Sequence, residues 1–281
     1  MTLRIVTDST CDLPAETIRD LGITVVPCNL HFGADVLRDG VDIAPPQFYQ
    51  RLASAKTLPT TSQPSVGVFL DTYRALAGHA TEVLSLHISQ KLSGTCASAV
   101  QAVAELGPTL RVQAVDSTQV SLGLGFLVRE AARMARDGAT LDQALAFLRD
   151  AIPAVRSYVT VDTLDYLVRG GRASRMQGFF GGILDIKPII VVRDGETHPV
   201  GRVRSRRRAM QSFQEIAAQA GKLRALGFMH AACPADAVAL ADSCSSIFPS
   251  SEMLICEFTP VMGAHLGPGA LGMALWPERA P

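Results

Sequence analysis

Residues 82–105 read EVLSLHISQKLSGTCASAVQAVAE. The first six form a short β-rich run of the kind that fills a buried strand, and from Thr95 onward small and apolar residues recur at helical spacing. A polar turn joins the two, Ser89-Gln90-Lys91-Leu92-Ser93-Gly94-Thr95. The same order repeats on either side. Strand-like runs at 3–7, 23–28 and 110–115 alternate with helical runs at 15–21, 45–55, 66–77, 119–136 and 141–151. Alternation of this kind predicts a mainly parallel sheet covered on both faces by helices.

The second half changes character. Strands are expected at 157–161, 225–231, 253–259 and 272–276, with a hairpin formed by 188–192 and 197–203 around Asp194-Gly195. Helices are expected at 164–169, 206–220 and 235–248, and at 176–184 despite Gly181-Gly182. The fold class is therefore α/β, with a mainly parallel sheet in an N-terminal domain and a mixed sheet in a C-terminal one. A chain of 281 residues fits two domains of ordinary size, 1–153 and 154–281, divided near Pro153.

Lys plus Arg equals Asp plus Glu at 26 each, so no global field draws the chain to nucleic acid or an anionic membrane. No apolar segment is long enough to span a bilayer. The N-terminus enters a strand pattern without a basic and apolar leader, which makes the cytoplasm the expected location. The six cysteines, Cys11, Cys28, Cys96, Cys233, Cys244 and Cys256, show no metal-ligand spacing. They read as buried thiols of a reducing compartment, with no metal or cofactor expected.

Five polar segments could carry chemistry. In 89–95, free N–H groups at a helix start favour an anion. Ser93 and Thr95 supply hydroxyls there, and Gly94 allows close approach to the backbone; the same residues would also serve as an ordinary N-cap. Thr60-Thr61-Ser62-Gln63-Pro64-Ser65 is a second polar loop before a helix, with Ser65 as its cap. His265 stands among glycines and a proline in 262–270, read as a loop between the last two strands. Ser205 reads as an N-cap, which leaves Arg206, Arg207 and Arg208 in a first helical turn. Cations are unfavourable there, and a phosphate or an acidic partner would account for them. Residues 7–14 follow the first strand but lack the glycine fingerprint of a dinucleotide site, and no phosphate-binding P-loop occurs.

Taken together, residues 7–14 (TDSTCDLP), 61–65 (TSQPS), 88–98 (ISQKLSGTCAS), 115–117 (VDS), 164–172 (LDYLVRGGR), 186–189 (IKPI) and 265–272 (HLGPGALG) resemble the DegV family from the first strand to the last. The resemblance implies a fatty acid held in a tunnel between two α/β domains. It also implies a non-catalytic role as the binding subunit of a bacterial fatty acid kinase. In that system a separate protein phosphorylates the bound carboxylate with ATP, and the acyl phosphate can enter phospholipid synthesis. By motif, the carboxylate would meet Ser62, Ser93 and His265, with Thr61, Gly94 and Thr95 close by. Arg172 and Arg202 would dock the kinase. Two departures from the commoner pattern are Ala264, where a threonine is usual, and Cys11, where an alanine is usual.

A carboxylate taken out of water needs several donors or it takes up a proton, and hydroxyls, helix-start amides and one histidine can supply them. Phe179, Phe180, Ile183 and Leu184 are the expected tunnel lining, or else plain core. An acid of C14–C18 is the expected ligand. Two rival functions are an acyl hydrolase, with Ser93 as nucleophile, His265 as base and Asp8 or Asp116 orienting it, and a nucleic-acid-binding regulator using residues 202–208.

Overall fold

A computed structural model describes residues 2–108, 110–173 and 186–278. Four short parallel strands run through the N-terminal half in the order β2-β1-β6-β7. They are β1 (Leu3–Asp8), β2 (Thr24–Val26), β6 (Glu82–His87) and β7 (Arg111–Asp116). The side-chain period of two sorts β1 and β6 onto two cores. Val6 and Val83 join Phe69 and Tyr73 on one face, while Ile5 and Leu84 join Leu124 and Leu127 on the other. The first face is covered by α3 (Val66–Leu76) and α4 (Thr95–Leu106), and the second by α5 (Leu122–Arg136) and α6 (Leu141–Ala151). The remaining helices of this half are α1 (Ala15–Asp20) and α2 (Pro45–Ser54).

The C-terminal sheet has six strands in the order β10-β9-β8-β13-β11-β12. They are β8 (Arg156–Thr160), β9 (Lys187–Arg193), β10 (Glu196–Val203), β11 (Leu223–His230), β12 (Leu254–Glu257) and β13 (Leu271–Pro277). All neighbours are antiparallel except β11 and β12, so this sheet is mixed, as expected. Asp194 and Gly195, about which the sequence placed a hairpin, both take positive φ, 53° and 81°, as the central residues of a tight primed turn do. With α7 (Asp165–Arg169) preceding β9, the outer face of the sheet is covered by α8 (Arg206–Gln219) and α9 (Pro234–Ser243). Its inner face meets α5, which therefore lies between the two sheets. Bare backbone makes that packing possible: a Cβ on Gly125 would stand 2.5 Å from the Cys11 carbonyl oxygen.

Four expectations are corrected. His265 lies not in a loop but in a buried helix, α10 (Pro260–Leu266), started by proline at its first position and ended at Gly267, where φ is 75°. The polar loop at 60–65 begins as a strand, β5 (Thr60–Ser62). It pairs with β3 (Asn29–Phe32), which also pairs with β4 (Asp35–Arg38), in a small antiparallel sheet. The helix expected from 119 starts only at Leu122, because Gln119 is taken up in holding loops together: its carbonyl accepts from Ser89 N and its side chain donates to Val155 O. The helix expected to reach 248 stops at Ser243. The segment 176–184 lies outside the described residues, and so do Phe179, Phe180, Ile183 and Leu184. Pro153 falls in the short 3-10 turn Ile152–Ala154 between α6 and β8. Among the described residues no helix is long and apolar enough to cross a membrane.

Candidate functional site

Although α10 follows β12 in the chain, it packs against α2, β3 and β5 of the N-terminal half. That insertion carries His265 to β5, where its Nε2 lies 2.8 Å from Thr61 Oγ1. Burial, and then the Arg172 charge, push the His265 pKa down to about 4, so the ring is neutral near pH 7. Its Nδ1 is buried without a hydrogen-bond partner. A buried lone pair left unpaired costs less than a buried N–H, so the single proton belongs on Nε2, donated to Thr61. The Thr61 hydroxyl hydrogen is then free to point elsewhere.

The next residue is held differently. Ser62 Oγ accepts from Asn29 Nδ2 at 3.4 Å and lies 2.9 Å from His31 Nε2, both on the neighbouring strand β3. Ser93 Oγ accepts from Thr95 N at 3.3 Å and shares a 2.8 Å contact with Thr95 Oγ1. Thr95 is fully buried, with Cys28 Sγ 4.0 Å behind it. Gly94 is needed for a contact the sequence did not suggest. A Cβ there would lie 2.7 Å from Gln63 Nε2, so the glycine admits the side chain of the adjacent loop.

These groups border one cavity between the two halves of the chain, the kind of cleft in which small-molecule sites are usually found. Thr61, Ser62, Ser93 and His265 line it, whereas Gly94 and Thr95 stand behind Ser93. Gln63 and Arg172 also line it. The guanidinium of Arg172 donates to Leu92 O at 3.1 Å and to Gly170 O at 2.5 Å, which ties the α7 turn to the Ser93 loop. Arg172 thus belongs to the cavity wall. Arg202 is exposed on the edge strand β10.

The rest of the wall is apolar and largely from the C-terminal sheet. Ile190, Val159, Gly272 and Met229 stand in one row across four strands. Gly272 leaves the room that Phe258 fills; a Cβ on it would lie 2.7 Å from the ring. The hydroxyls of Thr10, Ser121, Ser157 and Thr197 also reach this wall, but each is already spent as a donor. Thr10 bonds Asp8, Ser121 bonds Asp12, Ser157 bonds Val120 O and the Gln119 side chain, and Thr197 bonds Arg172 O.

The geometry does not support the hydrolase reading. Asp8 bonds His87 Nδ1 at 3.0 Å, and Asp116 accepts from the backbone of Thr118 and Gln90. Neither orients His265, and Ser93 pairs with Thr95 instead of an imidazole. The arginine run is partly explained without a ligand. Arg206 bonds Asp236 at 2.9 Å, Gly269 O, and Cys233 Sγ at 3.0 Å, which fixes the loop after α10. Ser205 does cap α8, accepting from Arg208 N. Among the described residues no group of three or more His, Cys, Asp and Glu side chains could hold a metal ion.

A sequence profile described as "Uncharacterised protein, DegV family" matches residues 2–278. A DegV domain-containing protein of Deinococcus radiodurans is 38% identical over all of both chains. Among solved structures, one described as fatty acid binding of a DegV family protein from Thermus thermophilus superposes with a TM-score of 0.91 at 34% identity. That match covers 99% of this chain and 100% of the other. A stearic-acid-binding protein from Eubacterium ventriosum gives 0.90 at 27% identity over 98% of each chain.

Proposed function

The chain belongs to the DegV family, and from that premise we propose that it binds one long-chain fatty acid, of C14–C18, in the cavity described. The observation that carries this reading is the division of the cavity wall. Hydroxyls, a neutral imidazole and a guanidinium gather around Thr61, Ser62, Ser93, Arg172 and His265, and an apolar row of the C-terminal sheet faces the remaining space. A carboxylate is acceptor-only and meets donors; the alkyl chain meets dry surface. The two halves, 1–153 and 154–281, are taken as two domains that hold the ligand between them.

Each buried methylene contributes about 0.8 kcal/mol, so affinity rises with chain length while the polar groups set orientation. Calorimetric titration is expected to show palmitate binding with a Kd in the micromolar range or tighter and acetate producing no heat. Comparable affinity for the two would remove the basis of the reading.

In the finer version of this function the chain is not a catalyst. It holds the carboxylate for a separate ATP-dependent kinase in the cytoplasm, and the product is an acyl phosphate. Arg202, exposed on an edge strand, is suited to such docking; Arg172 is suited to the ligand's head group and to docking at the cavity wall. Arg202→Glu is expected to leave palmitate affinity unchanged while slowing acyl-phosphate formation at least tenfold in the presence of the kinase. Unchanged acyl-phosphate formation would remove Arg202 from the docking surface.

A further inference from the structure

We infer that Asp12 is the positioning residue of the head-group site, acting through the helix that carries His265; this rests on the fatty-acid reading above. Asp12 is 3% exposed and lies outside the cavity wall, so it cannot touch a ligand there. Its Oδ1 accepts from Thr259 N at 3.0 Å and its Oδ2 from Ser121 Oγ at 2.5 Å. Thr259 is the N-cap of α10, and its own side chain caps nothing. The next residue, Pro260, has no N–H. The backbone entering α10 is therefore anchored by a carboxylate from the other half of the chain.

Asp12 is itself firmly set. It takes the left-handed conformation, φ 49° and ψ 24°, directly after the 3-10 turn Ser9–Cys11 that ends β1. Through Ser121 it also grips the residue before α5, which has φ 57°. One side chain thus joins the end of β1, the start of α5 and the start of α10. Since α10 is seven residues long, a shift of its first turn moves His265 with it and breaks the 2.8 Å contact with Thr61.

Asp39 lies beside this junction, 2% exposed, with neither carboxyl oxygen hydrogen-bonded, and the unpaired Thr259 hydroxyl faces both acids. A hard cation between the two carboxylates would be the competing explanation. It fits poorly, because a backbone N–H points at Asp12 and the start of a helix repels a cation.

The test compares palmitate with hexadecanol, which shares the tail and lacks the charge. Asp12→Ala is expected to lower palmitate affinity about fivefold, the equivalent of one lost cap, and to leave hexadecanol affinity unchanged. Asp12→Asn, which keeps an acceptor for Thr259 N, is expected to restore the preference for the acid. Thr259→Pro deletes only the N–H and the hydroxyl at a residue whose φ of −59° already suits proline. It is expected to reproduce the Asp12→Ala result should that variant fold poorly. The ¹⁵N resonances of the His265 ring, read without ligand, are expected to shift in Asp12→Ala and in Thr259→Pro. Equal loss for acid and alcohol, or unmoved His265 resonances, would overturn the positioning role. Wild-type protein that binds neither compound would instead overturn the fatty-acid reading, while the ring resonances would still decide the role of Asp12.

Discussion

Asp8→Ala is expected to cost about 3–5 kcal/mol of stability, seen as a lower urea midpoint, since each buried donor left without an acceptor costs about 1–3 kcal/mol. The carboxylate is fully buried and accepts four hydrogen bonds, from Thr10 N, Thr10 Oγ1, His87 Nδ1 and Ile88 N. Its removal strands those donors in the interior. The loss propagates, because His87 Nε2 continues to Ser85 at 2.6 Å and Ser85 to the Tyr73 hydroxyl at 2.8 Å. This chain of bonds pins β1 to β6 and α3 directly beneath the Ser93 loop.

The same carboxylates shape the dependence of stability on pH. Burial alone would raise the Asp8 pKa, but the bonds and charge of His87, with Thr10 and Ile88, more than reverse this and hold it below the ordinary value. Its stabilising contribution is present above about pH 4 and is lost as pH falls through the lowered value. Asp12 and Asp39 behave in the opposite way. Burial raises each to about 7, against the opposing bonds from Ser121 and Thr259 to Asp12 and the nearby Ser9 hydroxyl beside Asp39. Their contribution is complete below about pH 4 and declines as pH rises through 7. Stability is therefore expected to peak in mildly acidic solution. Asp39→Asn should exceed wild type by a margin that opens from pH 4 to pH 8, reaching on the order of 4 kcal/mol. A margin independent of pH would mean that Asp39 does not titrate in the folded protein.

Ser93→Ala is expected to weaken palmitate binding by about 10- to 100-fold, since a hydrogen bond to a charged acceptor contributes about 1.5–3 kcal/mol. His265→Ala is expected to act through two routes. It removes a group from the cavity wall, and it releases the Thr61 hydroxyl that Nε2 now holds. The double variant should lose less than the sum of the two, because both serve one head group. Hexadecanol affinity is expected to survive both changes. A similar loss for the alcohol would place Ser93 and His265 in tail packing instead.

The parallel sheet was legible because its signal is local: β1 and β6 are short buried runs each followed by a polar turn and a helix. The 194–195 turn was legible for the same reason. The small sheet was not, because Thr60–Ser62 has no apolar alternation and gains strand form only by pairing with residues 29–31, far away in the chain. The helix around His265 was missed although its start signal was present. Thr259-Pro260 is a cap followed by proline at the first position, but the glycines at 263, 267 and 269 drew the reading toward a loop. Ser62, Ser93 and His265 were named by motif, and all three line the one cavity. Asn29, His31, Gln63 and Asp12 were given no role of their own, because each acts on a residue distant in sequence. Arg172 was assigned outward to a partner; its bond to Leu92 O, which turns it into the cavity wall, is visible only in three dimensions.

The most direct test is mass spectrometry of organic extracts of the purified protein. About one C14–C18 fatty acid per chain is expected, markedly depleted in Ser93→Ala. Protein that carries no fatty acid and takes up none when it is added would contradict the fatty-acid reading.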